Sequence, residues 1–251
     1  ALRRKPRASI RVAADMVGQK AADALVSAGH TGATVMAAYG AFGTIPGVDR
    51  PALAASIPTR ARPAVLVDAG ANVECRPQHL LQFAVMGCVY ARVALGVERP
   101  RVGLLSVGEE ATKGNGLTRD AHQLLKAAPL NFIGNVEGRE IYSGVADVIV
   151  CDGFTGNVVL KLLEGFSGFM LELVLSELVR HDVKWSAEAV QSVQKHIDYA
   201  EYGGALLLGV QGTVIVGHGR SDAGAVANAL VFAARAMDVR VNEHIVAGFA
   251  S

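Results

Sequence analysis

Val148-Ile149-Val150-Cys151-Asp152-Gly153-Phe154-Thr155-Gly156-Asn157-Val158-Val159-Leu160-Lys161 is the stretch from which the rest of the chain is read. Its first four residues are apolar and mostly β-branched, as in a strand buried on both faces. A polar turn with two glycines follows, and then a segment with helical spacing. Strand, glycine turn and helix in that order make half of a βαβ unit. Asp152, Thr155 and Gly156 fall where a helix N-terminus offers unpaired N–H groups, and Thr155 is a candidate cap. Asn157 and Lys161 are four residues apart and share one helix face. An amide and a cation there suit a phosphate or an oxyanion. A helix cap beside a solvated lysine is the plainer alternative.

The same pattern recurs along the chain. Residues 24–28 run into Gly29-His30-Thr31-Gly32, 64–67 into Asp68-Ala69-Gly70-Ala71-Asn72, and 102–107 into Gly108-Glu109-Glu110 with Lys113-Gly114-Asn115 behind. Residues 131–133 run into Gly134-Asn135-Val136-Glu137-Gly138, and 213–216 into Gly217-His218-Gly219-Arg220-Ser221-Asp222. Helical segments are expected at 33–42, 79–95, 118–127, 158–179 and 223–246. Alternating strands and helices predict an α/β fold with a mostly parallel sheet, in which ligands gather at the carboxyl ends of the strands. All six polar turns are expected to converge there on one crevice.

Composition narrows the function. Hydrophobic residues make up 51% of the 251 and the net charge is +1, which excludes disorder and disfavours a broad basic nucleic-acid face. The three cysteines are far apart, with no CxxC or Cys/His cluster, so neither a disulfide framework nor a structural zinc is expected and a reducing cytoplasm is the natural setting. No metal signature and no apolar span long enough to cross a bilayer is visible, so no metal is predicted. The 28 glycines are an excess that falls largely in the six turns.

Individual turns allow two readings each. Ser27, Gly29, His30, Thr31 and Gly32 form either an anion cradle at a helix start or a tight turn capped by Thr31. Asp68 and Asn72 are either site groups or an Asx turn. Glu109 and Lys113 flank a glycine-rich loop in which a lysine suits a phosphate or a carbonyl oxygen. His218, Ser221 and Asp222 lack a nucleophile elbow and read as a polar turn with Ser221 or Asp222 as the cap. Phe166, Phe169, Met170, Leu173, Val174 and Leu178 recur at helical spacing, so segment 158–200 is expected at a dimer interface or, alternatively, on a lipid surface.

Taken in order, SAGHTGATVMAA at 27–38, IPGVDRPALA at 45–54, VDAGANVECRPQHLLQFAVMGCVYA at 67–91, RVGLLSVGEEATKGN at 101–115, NFIGNVEGREI at 131–141, DVIVCDGFTGNVVLKLLEG at 147–165 and YGGALLLGVQGTVIVGHGRSD at 202–222 resemble the PlsX family of phosphate acyltransferases. The resemblance implies a Rossmann-like three-layer α/β/α fold akin to isopropylmalate dehydrogenases and phosphotransacetylases. It further implies a cytoplasmic homodimer, with contact to the membrane surface in some members. The implied reaction moves an acyl group from acyl carrier protein to inorganic phosphate for phospholipid synthesis, without a cofactor. The chain is expected to be one domain over 1–251 that starts inside the family's first domain, without its Asp-x-Met-Gly-Gly-Asp turn. His30 stands where the family turn has Asn, and Arg220 where it has Ser.

On that resemblance, Lys113, Asn157 and His218 are the candidate catalytic groups. Ser27, Gly29, His30, Thr31, Gly32, Asp68, Asn72, Glu109, Asn135, Asp152, Thr155, Gly156, Lys161 and Ser221 are candidates for substrate binding. Arg60, Arg62, Arg139, Lys161 and Lys184 are candidates for a basic rim that recruits the acidic carrier protein. The alternatives are a phosphotransacetylase-like enzyme using acyl-CoA and a non-catalytic scaffold at the membrane surface.

Overall fold

The computed structural model describes residues 7–181, 183, 186, 188–190, 192, 203–219 and 221–250. Lys184, Arg220 and much of the expected segment 158–200 beyond residue 181 lie outside the described residues.

Among the described residues eight strands form one sheet: β1 (Ala24–Ser27), β2 (Ala52–Ile57), β3 (Ala64–Val67), β4 (Arg101–Ser106), β5 (Asn131–Glu137), β6 (Val148–Val150), β7 (Ala205–Leu208) and β8 (Thr213–Val216). The described helices are α1 (Ser9–Gly18), α2 (Thr31–Phe42), α3 (Pro77–Leu95), α4 (Gly116–Ala127), α5 (Gly153–Arg180), α6 (Ala223–Asp238) and α7 (Val241–Ala250). The spatial order is β1-β8-β7-β2-β3-β6-β4-β5.

Each strand feeds two cores, as its period of two requires. Val65, Val67, Val102, Leu104, Val148 and Val150 pack on Leu80, Phe83 and Met86 of α3, Leu125 of α4 and Ile245 of α7. Ala64, Leu66, Ile149, Leu207 and Val214 face the other way, onto Val17 of α1, Val35 and Ala38 of α2 and Leu160 of α5. The result is the expected three-layer α/β/α fold. Gly87 lets α3 lie close on the sheet: a Cβ there would stand 2.7 Å from Val148 Cγ1 and 3.1 Å from Val67 Cγ1.

Residues 52–57 and 205–208, absent from the sequence reading, are strands, and they change what the sheet does. β2 is antiparallel to both β3 and β7, and β7 is antiparallel to β8. Consequently β1, β8 and β2 run one way, while β7, β3, β6, β4 and β5 run the other. The carboxyl ends of β1 and β8 therefore face the opposite end of the sheet from those of β3, β4, β5 and β6.

Two helix boundaries and one strand end differ instructively from expectation. Helix α2 begins at Thr31, so His30 and not Thr31 is its N-cap. The segment expected at 223–246 breaks between α6 and α7, where Arg240 adopts φ 50°. Strand β5 runs on through the expected turn to Glu137; Gly134, at φ 100°, lies beside a register shift, so Asn135 sits within a bulged strand.

Helix α5 has 28 residues, of which only Gly153, Gly156 and Leu160 are buried. Phe154, Leu162, Phe166, Phe169, Leu173 and Val174 are exposed along it. Among the described residues no helix is long and apolar enough to cross a membrane.

Candidate functional site

At the end of the sheet where β3 and β6 finish, the Asp68 carboxylate is fully buried and saturated with donors. Its Oδ1 accepts N–H groups of Leu53 (3.0 Å), Gly70 (3.0 Å) and Ala71 (2.9 Å). Its Oδ2 accepts the N–H (2.7 Å) and Nδ2 (2.8 Å) of Asn72. Burial, the larger effect, holds its pKa above the ordinary carboxylate value, and this ring of donors offsets only part of the rise. Asn72 is placed in turn: Nδ2 also donates to the Pro51 carbonyl (2.7 Å), and its own carbonyl accepts the Gly153 N–H (2.8 Å). Asp68 and Asn72 thus hold the loop against the start of α5, and do not themselves point free donors at a ligand.

The first turn of α5 is built on that support. Asp152 is the N-cap, accepting the N–H (2.9 Å) and hydroxyl (2.8 Å) of Thr155, the reverse of the expected Thr155 cap. Gly156 packs so closely on the Asp68 carbonyl that no Cβ fits. Asn157 is exposed beside Gly70, where a Cβ would stand 3.3 Å from the Asn157 Cβ. Lys161 follows one turn later but is paired with Glu164 at 2.8 Å.

Beside this turn, the loop after β4 carries Glu109 and Lys113. Asn135 Nδ2 clamps it by donating to the carbonyls of Gly108 (3.0 Å) and Glu110 (2.9 Å). Exposed Arg139 bridges Glu109 (3.1 Å) and Glu137 (2.7 Å). The loop ends in Asn115, which caps α4 by accepting the Thr118 N–H (2.9 Å). Sequence reasoning missed Ser106, the last residue of β4, whose Oγ lies beneath Gly114; a small polar residue at the strand end, two before a glycine, was the available signal.

Ser27, Gly29, His30, Thr31, Gly32, His218 and Ser221 belong to a second cluster. The Gly217 N–H donates to the Ser27 carbonyl (2.9 Å), and Ser221 Oγ accepts the His218 N–H (3.2 Å). Asp222 caps α6 by accepting the Ala225 N–H at 2.8 Å. Asp68 follows Val67, which pairs with Ala54 of β2, whereas Val216 pairs with Ala205 of β7, three strand spacings from β3 to β8. With ~4.8 Å between strands and ~3.3 Å per residue, Asp68 and Gly217 are on the order of 15–20 Å apart. Their turns leave in opposite directions. The six turns do not meet in one crevice, because the antiparallel β2 and β7 reverse one half of the sheet.

The expected basic rim is also dispersed. Arg62 (3.1 Å) and Arg101 (2.9 Å) close on buried Asp147 at the amino end of β6, away from the Asp68 loop. The cysteines offer no thiolate: Cys75 and Cys88 are pushed up to about 12 by burial, and buried Cys151 rises for the same reason. Among the described residues no group of three or more His, Cys, Asp or Glu could hold a metal ion.

The family model of fatty acid synthesis proteins matches residues 1–244. The chain belongs to this family. Phosphate acyltransferases of Syntrophotalea carbinolica, Thermosynechococcus vestitus and Acidobacterium capsulatum are 48%, 48% and 49% identical over 98%, 98% and 100% of the chain. The chain spans 73%, 74% and 76% of their respective lengths. Like these relatives, this member of the family is an enzyme, an acyltransferase. Two solved structures share the fold. A EutD phosphotransacetylase from Staphylococcus aureus superposes with a TM-score of 0.61 at 19% identity, covering 91% of this chain and 67% of its own. A branched-chain phosphotransacylase from Enterococcus faecalis gives 0.57 at 16%, covering 93% and 79%.

Proposed function

We propose that this acyltransferase moves the acyl group of an acyl carrier protein thioester to inorganic phosphate, releasing acyl phosphate for phospholipid synthesis. A phosphate oxygen attacks the carbonyl carbon, the C–S bond breaks, and the sulfur leaves as a thiolate that takes up a proton. Phosphate is already anionic, so positioning is the main demand and no strong base is needed. The observation that carries the reading is the buried Asp68 carboxylate. It fixes the amino end of α5, with Asn157, at the sheet edge that the Lys113 loop shares, because β4 and β6 are parallel neighbours. Lys113 and Asn157 are assigned to the phosphate and the developing oxyanion.

Steady-state turnover of Lys113→Ala, Asn157→Ala and His218→Ala, with acyl carrier protein and acyl-CoA thioesters as donors, tests this. Loss of an oxyanion donor typically lowers the rate by ~10²–10³. The expected losses are at Lys113 and Asn157, with little at His218, on the opposite sheet end. Unchanged rates at Lys113 and Asn157 would remove the assignment. A preference for acyl-CoA would favour phosphotransacetylase-like chemistry, and binding to lipid without turnover a scaffold.

A further inference from the structure

Two buried side-chain oxygens, Ser106 Oγ at the end of β4 and Asn135 Oδ1 within β5, have no hydrogen-bond partner among the described residues. Asn135 is 9% exposed, and its Nδ2 is committed to the Gly108 and Glu110 carbonyls. Flipping the amide would turn Oδ1 against those carbonyls, so the unpaired branch is an acceptor. Leu104 pairs with Asn135 and stands two residues before Ser106, so both orphan groups leave the same face of the sheet. The glycine loop covers them. Gly114 (φ 100°) lies over Ser106 Oγ, where a Cβ would approach to 2.9 Å, and the Lys113 stem packs on Gly108. Helix α4 starts immediately beyond, directing its first N–H groups toward the loop. Native proteins leave few such atoms unpaired without a reason.

We propose that Ser106 and Asn135 form a subsite for protonated inorganic phosphate under this loop, and that Asn135 reads the proton. The P–OH of hydrogen phosphate donates to Asn135 Oδ1. An unprotonated oxygen accepts from Ser106 Oγ, and Lys113 balances the charge. A further unprotonated oxygen remains to attack the thioester, so the inference rests on the acyl-transfer reading and names how it selects its acceptor. The loop parts at Gly114 to admit the ion. Sulfate matches phosphate in shape but has no proton at neutral pH, and would leave Asn135 Oδ1 unpaired in a closed site. A site built to bond a ligand hydroxyl rejects an analogue that lacks it. A phosphodiester lacks the P–OH as well.

Calorimetric titration of the full chain with inorganic phosphate, sulfate and dimethyl phosphate tests this in the wild type, Ser106→Ala and Asn135→Ala, with the unfolding temperature of each. Phosphate should bind about tenfold or more tightly than either analogue, the penalty of one buried acceptor left unpaired. Ser106→Ala should weaken phosphate binding to a similar degree while leaving the unfolding temperature unchanged or higher, since it deletes an unpartnered hydroxyl. Asn135→Ala should narrow the gap between phosphate and sulfate; if it does not fold, Ser106→Ala carries the test. Equal affinity for phosphate and sulfate, no phosphate binding, or wild-type affinity in Ser106→Ala would overturn the proposal and leave the two oxygens to internal water. Selective phosphate binding without consumption of any thioester would instead remove the acyl-transfer reading and leave the subsite standing.

Discussion

Asp68→Asn is nearly isosteric, yet it should be among the most damaging single substitutions in the chain. Three donors on Oδ1 can keep their acceptor, but the new Nδ2 would then face the Asn72 N–H and Nδ2, now at 2.7 and 2.8 Å from a carboxylate oxygen. Asn72 cannot turn away without surrendering its 2.7 Å bond to Pro51. Two buried donors left without an acceptor cost about 1–3 kcal/mol each. Relief of the buried charge offsets part of this, leaving a net loss of roughly 2–4 kcal/mol against the ~5–15 kcal/mol typical of a domain. With a urea slope near ~3 kcal/mol per molar, the midpoint should fall by about 1 M at unchanged slope. The same measurement decides the charge state. Both oxygens already accept N–H groups, so a carboxylic proton would have to displace one of them. A midpoint within ~0.2 M of wild type would mean that Asp68 is already neutral in the folded protein, and would refute the donor ring as the support of the α5 turn.

Further outcomes follow from other contacts. Gly87→Ala should destabilise by ~1–3 kcal/mol through overpacking of α3 on Val148 and Val67, readable in urea and spared by shortening Val148 to Ala. Arg101→Ala leaves buried Asp147 with half-exposed Arg62 and the backbone N–H of residue 101; a loss of ~2–3 kcal/mol is expected, below that of a fully buried pair because Arg101 is itself partly exposed. Asp147 adds an acid limb: burial raises its pKa, but Arg101 and Arg62 hold it below the ordinary value, so its stabilisation is complete above ~4 and lost as pH falls through the folded pKa. His79 and His122 are lowered by burial and by Arg50 and Lys126 respectively, so the unfolded chain takes up their protons first. Stability should be flat above ~6.5 and decline from there down to their folded pKa values, a limb that His122→Gln should reduce.

Much of the fold was legible because its signals are local. Each of the six apolar runs became a strand, since alternate side chains feed two cores and the serines among them, Ser27 and Ser106, fall at strand ends. Helices α2 to α4 lie close to the expected spans, α5 starts earlier and α6 ends earlier than expected, and Asp222 was recognisable as a cap because a short acidic side chain before an apolar run has few other uses. Asp152 lost out to Thr155 in the reading because both precede the helix; the structure resolves the order by giving Asp152 both of Thr155's donors. Asn135 was placed in a turn because Gly134 beside it usually ends a strand, whereas here the glycine lies at a bulge and the strand continues.

The functional site was legible turn by turn but not as an assembly, and the reason is physical. Whether two loops meet depends on the direction in which their strands run, which no residue of either loop encodes. Residues 52–57, ALAASI, are mostly small and fully buried, and 205–208, ALLL, follow two glycines at positive φ. Neither has the β-branched signature that marked the other strands, although burial in the centre of the sheet needs none. These two strands reverse the sense of β1 and β8 relative to β3, β4 and β6, and so carry His30 and His218 to the far end. The Lys113 loop and the Asn157 turn stay together because β4 and β6 are direct parallel neighbours, so their carboxyl ends must share one edge. Parallel adjacency, more than the richness of any motif, is therefore what brings Lys113 and Asn157, and not His218, to one edge of the sheet.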